Sequence, residues 1–169
     1  LINGRGKVAI LRFAEGSAST TAREEGFLAV MRRHPGIEVT VENRYAGPTI
    51  STAQDAAMNL IDKLREADAI FTPSETVTQG MLLALRQTGL VRRKPFIGFD
   101  SSPFLIAALK RGDIKALVVQ NPSLMGYLGV KTAVAKLRGE PIEHYIDTGC
   151  LLITPDNLDS AEATAVLGD

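Results

Sequence analysis

The chain has 169 residues, of which 45% are hydrophobic and 22% are charged, as in an ordinary globular protein of about one domain. Nineteen Lys and Arg residues balance nineteen Asp and Glu residues, so no net field draws the chain toward nucleic acid or an anionic membrane. A single cysteine, Cys150, and two distant histidines, His34 and His144, exclude an internal disulfide and give no basis for a metal, a redox centre or a cofactor.

Apolar runs and turn residues predict strands and helices in alternation. Short apolar runs that end in Gly, Pro or Ser are typical of buried strands, and apolar residues at three- and four-residue steps are typical of helices. The clearest helical pattern follows Thr49 and Ser51, either of which is placed to cap it. In chain order the predicted elements are a strand at 7–13, a helix capped at 19–21 and ended by 34–36, a strand at 37–45, a helix from 49 or 51 through 64, a strand at 67–72, a helix at 75–87, a strand at 95–99, a helix at 103–110, a strand at 114–119 and a helix at 122–137.

This alternation predicts an α/β fold. Five strand–helix units with short links favour parallel strands joined by right-handed crossovers, in a Rossmann-like sheet with helices on both faces. The tail is less regular, and we interpret residues 144–154 as one longer strand and residues 158–167 as a short terminal helix.

Polar and aromatic side chains follow the carboxyl ends of these strands, which is the edge where open α/β sheets bind ligands. Carboxylate and guanidinium groups make paired hydrogen bonds to neighbouring hydroxyls, and an aromatic face covers C–H groups, so the set suits an uncharged polyol. The candidates are Phe13 with Ala14, the segment 46–49, Pro73 with Ser74, Asp100, Gln120, and Arg23 in the first turn of the first helix.

Each candidate has a structural alternative that the sequence leaves open. Asp100 and Ser74 could each cap the helix that follows it. Arg23 could be a solvated surface residue, Phe13 a core residue, and Gln120 a partner for loop backbone.

The sequence lacks the common signatures of enzymes. No Gly-x-Gly-x-x-Gly follows the first strand, and neither a Walker Gly-Lys-Ser/Thr nor a Gly-x-Ser-x-Gly elbow occurs. Cys150 is six residues from His144, and a strand between them would separate the two widely. Glu66 and Asp68 bracket the start of a strand, where a structural role is favoured. We therefore expect no catalytic residues.

Several segments together carry a resemblance to a known family. In this order and over almost the whole chain, they resemble the ribose-type periplasmic sugar-binding proteins of ABC transporters. The segments are Gly16-Ser17 with Arg23-Glu-Glu-Gly-Phe27, Phe71-Thr-Pro-Ser-Glu-Thr-Val-Thr-Gln-Gly80, Ile97-Gly-Phe-Asp100, Lys110-Arg-Gly-Asp-Ile114, Val119-Gln-Asn-Pro with Met125-Gly126, Asp147-Thr-Gly149 and Ile153-Thr-Pro-Asp-Asn157.

The resemblance implies two similar α/β lobes that are joined by a three-segment hinge and hold a sugar between them. It implies that residues 1–120 form the C-terminal sugar-binding lobe. Residues 121–169 would form a hinge crossing, a helix and a strand that are normally shared with an N-terminal lobe. The chain would then be the second part of such a protein, with Leu1 as an internal start.

The resemblance also implies a set of ligand-binding residues. Arg23 matches the arginine of Arg-x-x-Gly-Phe that donates to sugar oxygens, Asp100 the aspartate of Gly-Phe-Asp, and Gln120 the glutamine at the hinge. Phe13 and Ala14 fall where an apolar contact with the sugar is expected.

Two positions depart from the family pattern. Ser74 stands where the family commonly has asparagine, and its shorter side chain leaves one sugar hydroxyl farther away or contacted through water. The segment 46–48 lacks the aromatic residue that ribose binders often carry, although Tyr45 is adjacent. The identity of the sugar therefore stays open.

The partners that the resemblance implies are a monosaccharide and an ABC transporter permease, without nucleic acid. The implied location is the periplasm or, if the protein is a lipoprotein, the cell surface. The main alternative is the effector-binding core of a LacI-type repressor, which shares the two-lobe architecture, and a third is an α/β enzyme acting on phosphates. The apolar face of the helix at 122–137 would lack an intrachain partner, so we expect a homo-oligomer through this helix or its refolding onto the lobe.

Overall fold

A computed structural model describes residues 1–167 as a six-stranded sheet with helices packed on it. The strands are β1 (Gly6–Ile10), β2 (Ile37–Val41), β3 (Ala69–Phe71), β4 (Phe96–Phe99), β5 (Ala116–Gln120) and β6 (Cys150–Ile153). The helices are α1 (Ala18–Met31), α2 (Ile50–Asn59), α3 (Ile61–Glu66), α4 (Glu75–Gln87), α5 (Pro103–Lys110), α6 (Pro122–Leu137) and α7 (Ala161–Leu167).

The strand order is β2-β1-β3-β4-β5-β6. The first five strands are parallel, whereas β6 pairs antiparallel with β5, with Cys150 opposite Gln120. The order changes direction at β1 and β3, which is the switch point of an open α/β sheet. The predicted α/β class with a Rossmann-like sheet is confirmed.

Side chains from the two faces of the sheet enter two separate cores. On one face, Ile70 and Phe96 belong to a large core with residues of α2, α4 and α5. On the other face, Phe71 and Phe99 pack with Leu28 of α1. Because β3 and β4 are covered on both faces, they have the nearly continuous apolar sequences typical of parallel strands.

The bounds of α4, α5 and α6 coincide with the predicted ones. Proline in the first turn and glycine just beyond the last turn define the bounds of α5 and α6 in the sequence, whereas α4 has only the glycine that follows it, Gly89. In α5, for example, Pro103 is the first residue, and the Ser102 side chain accepts a hydrogen bond from the backbone N–H of Leu105.

The single helix predicted after Thr49 is wrong, because the structure has two. Leu60, with φ of −105° and ψ of 7°, leaves helical geometry between α2 and α3. Neither glycine nor proline marks this break, so periodicity alone continues through it. Of the two predicted caps, Thr49 makes the bond, since its hydroxyl accepts from the backbone N–H of Thr52 at 3.1 Å.

Strands β2 and β6 are shorter than predicted. Beyond Val41 the chain pairs with its neighbour again only at an isolated bridge between Tyr45 and Arg12. The predicted strand at 144–154 is reduced to the four residues that pair with β5. Gly149, with φ of +67°, turns the chain into β6.

The first and last helices begin at residues other than those predicted. Helix α1 begins at Ala18 after Ser17, so the predicted caps at 19–21 lie inside the helix. Helix α7 begins at Ala161 rather than 158, and Leu158 enters the core instead.

Helix α6 is the only helix among residues 1–167 that has no buried residue. Leu124, Val134 and Leu137 are exposed, and Leu128 is half-buried. The apolar face predicted to lack an intrachain partner is thus largely open to solvent within the described part of the chain.

A buried carboxylate connects three segments at the amino edge of the sheet. Asp113, whose side chain is 6% exposed, accepts hydrogen bonds from Arg86 at 2.8 Å, Arg92 at 2.7 Å and Arg111 at 3.3 Å. Burial alone would raise the pKa of the Asp113 carboxyl, but these three hydrogen bonds outweigh burial and lower the pKa. The Asp113 carboxylate therefore connects the end of α4, the loop before β4 and the turn before β5.

The packing of α2 on α4 depends on Gly80. A methyl group built on Gly80 would lie 2.6 Å from the Cβ of Ala53 and 2.6 Å from the carbonyl oxygen of Ile50. We expect Gly80→Ala to lower the free energy of unfolding by about 1–3 kcal/mol, because the two helices must separate. The matched control is Gly26→Ala in α1, where the space is open and the change should be neutral or stabilising by about 0.5–1 kcal/mol. Urea unfolding measures both, and a Gly80→Ala chain as stable as the unaltered one would contradict this packing.

The lowered pKa of Asp113 predicts a pH-dependent contribution to stability. Its stabilisation is complete above the unfolded-state pKa of about 3.9 and is lost as the pH falls through the lower folded-state pKa. We expect Asp113→Asn to lower the free energy of unfolding by about 1.5–3 kcal/mol at neutral pH. The difference from the unaltered chain should shrink below about pH 4. Urea titrations across this range test it, and a difference that does not change with pH would exclude the charge of Asp113 as the cause.

Candidate functional site

The carboxyl edge of the sheet brings together the segments that follow β1, β3, β4 and β5. These strands are neighbours in the sheet order, so their carboxyl ends lie side by side. Helix α1 follows β1 from the same edge. The candidate residues of the sequence therefore meet here, as the parallel arrangement requires.

Asp100 lies at the centre of this edge. One carboxylate oxygen accepts a hydrogen bond from Gln120 Nε2 at 2.9 Å, and the other accepts from the backbone N–H of Glu75 at 3.2 Å. The residue has φ of +66°, in the left-handed region that Asp tolerates better than most side chains. The alternative that Asp100 caps the following helix is wrong, because Ser102 caps α5 and Asp100 reaches the start of α4 instead.

Arg23 is held in a defined orientation toward Asp100. Its Nη1 donates to the carbonyl oxygen of Pro73 at 2.9 Å and lies 3.6 Å from the Asp100 carboxylate. Its guanidinium carbon lies 4.1 Å from the centre of the Phe99 ring, a cation–π arrangement. The side chain is 18% exposed, so the alternative of a solvated surface residue is wrong. Because α1 begins at Ala18, Arg23 lies in the second turn rather than the first.

Ser74 contributes a buried hydroxyl without a partner. It occupies the N-cap position of α4, but its side chain makes no capping bond. Among the residues that the structure describes, its Oγ has no hydrogen-bond partner. The alternative that Ser74 is the N-cap of α4 is therefore confirmed in position, although its side chain makes no capping hydrogen bond. A buried hydroxyl of this kind is costly to leave unpaired. Ser74 directly follows Pro73, whose carbonyl Arg23 binds.

Gln120 and Phe13 have different roles at the edge. The amide of Gln120 donates to Asp100, so the reading of this side chain as a partner for loop backbone is wrong. Phe13 is half-buried and packs against the larger core, while its carbonyl accepts a hydrogen bond from the N–H of Gly47 at 2.8 Å. Ala14 is half-buried beside it. Phe13 thus combines a core contact with the position predicted for it at the edge.

Sequence reasoning missed two features of this edge. The first is the Phe99 ring beneath Arg23, although Phe99 directly precedes Asp100. The second is a buried ion pair between Arg12 and Glu24, whose nearest atoms are 2.6 Å apart. Burial alone would lower the pKa of the Arg12 guanidinium, but hydrogen bonds to Glu24 and Glu25 outweigh burial and raise it. An arginine in an otherwise apolar strand was the available signal, because a buried charge requires a partner.

The geometry suits reversible binding of hydroxyl groups. It combines a carboxylate that accepts, a guanidinium that donates, an amide and an unpaired hydroxyl, which is the chemistry that pairs with adjacent hydroxyls.

A groove of roughly 470 Å³ lies elsewhere, along β2, and is lined by residues 39–44, Leu60 and Lys63. Within residues 1–167 there is no group of three or more His, Cys, Asp or Glu side chains able to hold a metal. None of the described helices combines the length and the apolar character that crossing a membrane requires.

Comparisons with known proteins identify relatives by sequence and by fold. The ribose import binding protein of Haemophilus influenzae is 27% identical over 148 residues, which are 88% of this chain and 49% of that protein. The periplasmic component of an ABC-type sugar transport system from Hahella chejuensis superposes with a TM-score of 0.84 at 42% identity, over 89% of this chain and 54% of that one. A solute-binding protein from Agrobacterium vitis with bound D-fucose superposes with a TM-score of 0.92 at 30% sequence identity, over 99% of this chain and 57% of that one. The chain thus spans about half the length of these relatives.

A model of the periplasmic binding protein domain matches residues 1–141, which include five of the six strands and every candidate residue described above. On the strength of that match, and of a fold shared with sugar transport components, this chain belongs to the periplasmic binding protein domain family.

Proposed function

We propose that this chain is a sugar-binding lobe of the solute-binding component of an ABC transporter. The observation that carries the proposal is the arrangement of Arg23, Asp100 and Gln120 at the carboxyl edge of the sheet. These side chains hold one another in place, so little conformational entropy is lost when a sugar binds. We assign Phe13, Ala14 and Ser74 to the same site, as the sequence predicted.

The contacts within the group are suited to exchange with sugar hydroxyls. Asp100 is 28% exposed, and its 3.6 Å separation from Arg23 exceeds an ordinary charge-assisted hydrogen bond. A hydroxyl placed between the two groups can donate to the carboxylate and accept from the guanidinium. The buried Oγ of Ser74 offers a further hydrogen bond without first losing a protein partner. We therefore infer that the ligand is an uncharged monosaccharide.

We propose residues 1–120 as the sugar-binding lobe and residues 121–169 as a hinge crossing, helix and strand that pack with a second lobe. Two features support this boundary. Gln120 is the last residue of β5 and contacts Asp100, so the lobe's ligand-binding residues end there. Helix α6 follows directly and keeps its apolar side chains exposed. A second lobe, or a second copy of the chain in a homo-oligomer, would cover them.

We propose that the partner is a permease of the same transporter, and that the protein lies in the periplasm or, as a lipoprotein, at the cell surface. Both proposals are supported by the names of the relatives, which are import or transport components. The same relatives give no support to the alternative of a LacI-type repressor. We infer that the chain binds its ligand without chemical turnover and needs no cofactor.

Monosaccharide binding should be localised to the carboxyl edge. We expect D-ribose or D-fucose to shift the side-chain NMR signals of Arg23 and Gln120, while glycerol at the same hydroxyl concentration does not. Asp100→Asn retains the shape of the side chain but loses the charge, and should weaken binding by about 1.5–3 kcal/mol, or tenfold or more. Asp113→Asn is the matched control, since it removes a paired carboxylate at the opposite edge and should leave the affinity unchanged.

Circular dichroism of both variants establishes that they are folded. Sugar-induced shifts that avoid Arg23 and Gln120, or equal affinities of the Asp100→Asn and unaltered chains, would contradict the assigned site.

A further inference from the structure

The ion pair between Arg12 and Glu24 is the most deeply buried one in the described part of the chain. The Nε of Arg12 lies 2.6 Å from Oε2 of Glu24, and their side chains are 9% and 1% exposed. The sequence did not identify either residue as a candidate for the site, and neither makes a hydrogen bond to Asp100. Both lie on the elements that lead to the carboxyl edge, since Arg12 follows β1 and Glu24 is in α1.

Helix α1 packs on the sheet by an unusual buried stripe. Its buried residues are Thr20, Glu24 and Leu28, which follow one another at four-residue intervals. A surface helix normally presents an apolar stripe to the core, but only Leu28 is apolar here. The stacked rings of Phe27 and Phe71, 4.4 Å apart, add to the contact made by the second half of the helix. The first half, which carries Arg23, has no apolar buried residue, and Glu24 is its one buried charge.

The inward direction of Glu24 determines the direction of Arg23. Successive residues of an α-helix are separated by about 100° around its axis, so fixing one side chain fixes its neighbour. With Glu24 turned toward Arg12, Arg23 reaches the carbonyl of Pro73 and the ring of Phe99. A rotation of α1 about its axis would break both contacts.

The same ion pair holds two other segments of the site. The second carboxylate oxygen of Glu24 accepts from the backbone N–H of Phe13 at 2.9 Å. On the other side, the guanidinium of Arg12 lies 5.5 Å from the centre of the Tyr45 ring, and the Arg12 carbonyl accepts from the N–H of Ala46 at 2.8 Å. The loop after β1 and the loop before α2 are thus attached to one pair of charges.

We propose that Arg12 and Glu24 are positioning residues of the sugar site, which set its affinity by fixing the orientation of Arg23 and the path of the Phe13 and Tyr45 loops. Neither residue contacts the sugar in this account. The effect on affinity rests on the proposed function, whereas the effect on Arg23 does not. A purely structural ion pair would contribute to stability alone and would leave the orientation of Arg23 unchanged when it is altered.

The test uses Glu24→Gln, which loses one of the two acceptors and places an amide donor against Arg12 or Phe13. Because Arg23 lies over the Phe99 ring, its side-chain proton signals should be shifted upfield by the ring current. We expect Glu24→Gln to move these signals toward the values of a free arginine in a chain that remains folded by circular dichroism. Its affinity for D-ribose or D-fucose should fall by about tenfold, since a preorganised contact is lost.

The matched control is Glu25→Gln. Glu25 is the next residue of α1 and also bonds to Arg12, at 2.7 Å, but its side chain is 49% exposed. Glu25→Gln should leave the Arg23 signals in place and change the affinity by no more than about twofold, because the Glu25 carboxylate is largely solvated.

Should Glu24→Gln fail to fold, the double variant Arg12→Met with Glu24→Leu takes its place, because an apolar pair can replace a buried ion pair without loss of the fold. It removes the directed hydrogen bonds from Arg12 and from the Phe13 N–H to Glu24, so the same loss of the Arg23 ring-current shift is expected. The proposal would be overturned if, in either folded variant, the Arg23 signals keep the upfield positions of the unaltered chain and the affinity for sugar is unchanged. If the unaltered chain binds no sugar, the proposed function fails, and the Arg23 signals alone then decide the positioning role.

Discussion

The carboxylate of Asp100 is the contact on which the arrangement of the carboxyl edge depends. It receives the amide of Gln120 from the end of β5 and the first backbone N–H of α4, and it faces the guanidinium of Arg23 from α1. Its left-handed backbone, with φ of +66°, is the kind of local strain that persists only where surrounding contacts enforce it. Three segments that are distant in sequence thus converge on one side chain because parallel strands end at a common edge.

The two edges of the sheet use aspartate in different ways. At the amino edge, Asp113 is 6% exposed and accepts hydrogen bonds from three arginines, an arrangement that connects the ends of α4 and α5. At the carboxyl edge, Asp100 is 28% exposed and its ion pair with Arg23 is long. The first arrangement is buried beneath three arginines and stabilises the fold. The second leaves Asp100 partly exposed, so that the hydroxyl groups of a ligand can replace its present partners.

Much of this architecture could be predicted from the sequence, because local signals and global topology agree. Proline and glycine mark the ends of α5 and α6, and the strand–helix alternation permits few topologies other than a parallel sheet. The break at Leu60 and the shortness of β6 could not be predicted, since the first has no turn residue and the second depends on pairing with β5. The contacts of Arg23 and the pairing of Arg12 with Glu24 likewise depend on how α1 is rotated, which spacing along the chain does not encode.

A crystal of the chain soaked in D-ribose or D-fucose tests the central claim most directly. The account predicts density for one sugar ring at the carboxyl edge, with ring hydroxyls within hydrogen-bond distance of Arg23 and Asp100 and with Ser74 Oγ newly paired. A sugar bound only in the groove along β2, or a carboxyl edge that stays empty at saturating sugar while the crystal contacts leave it accessible, would contradict it.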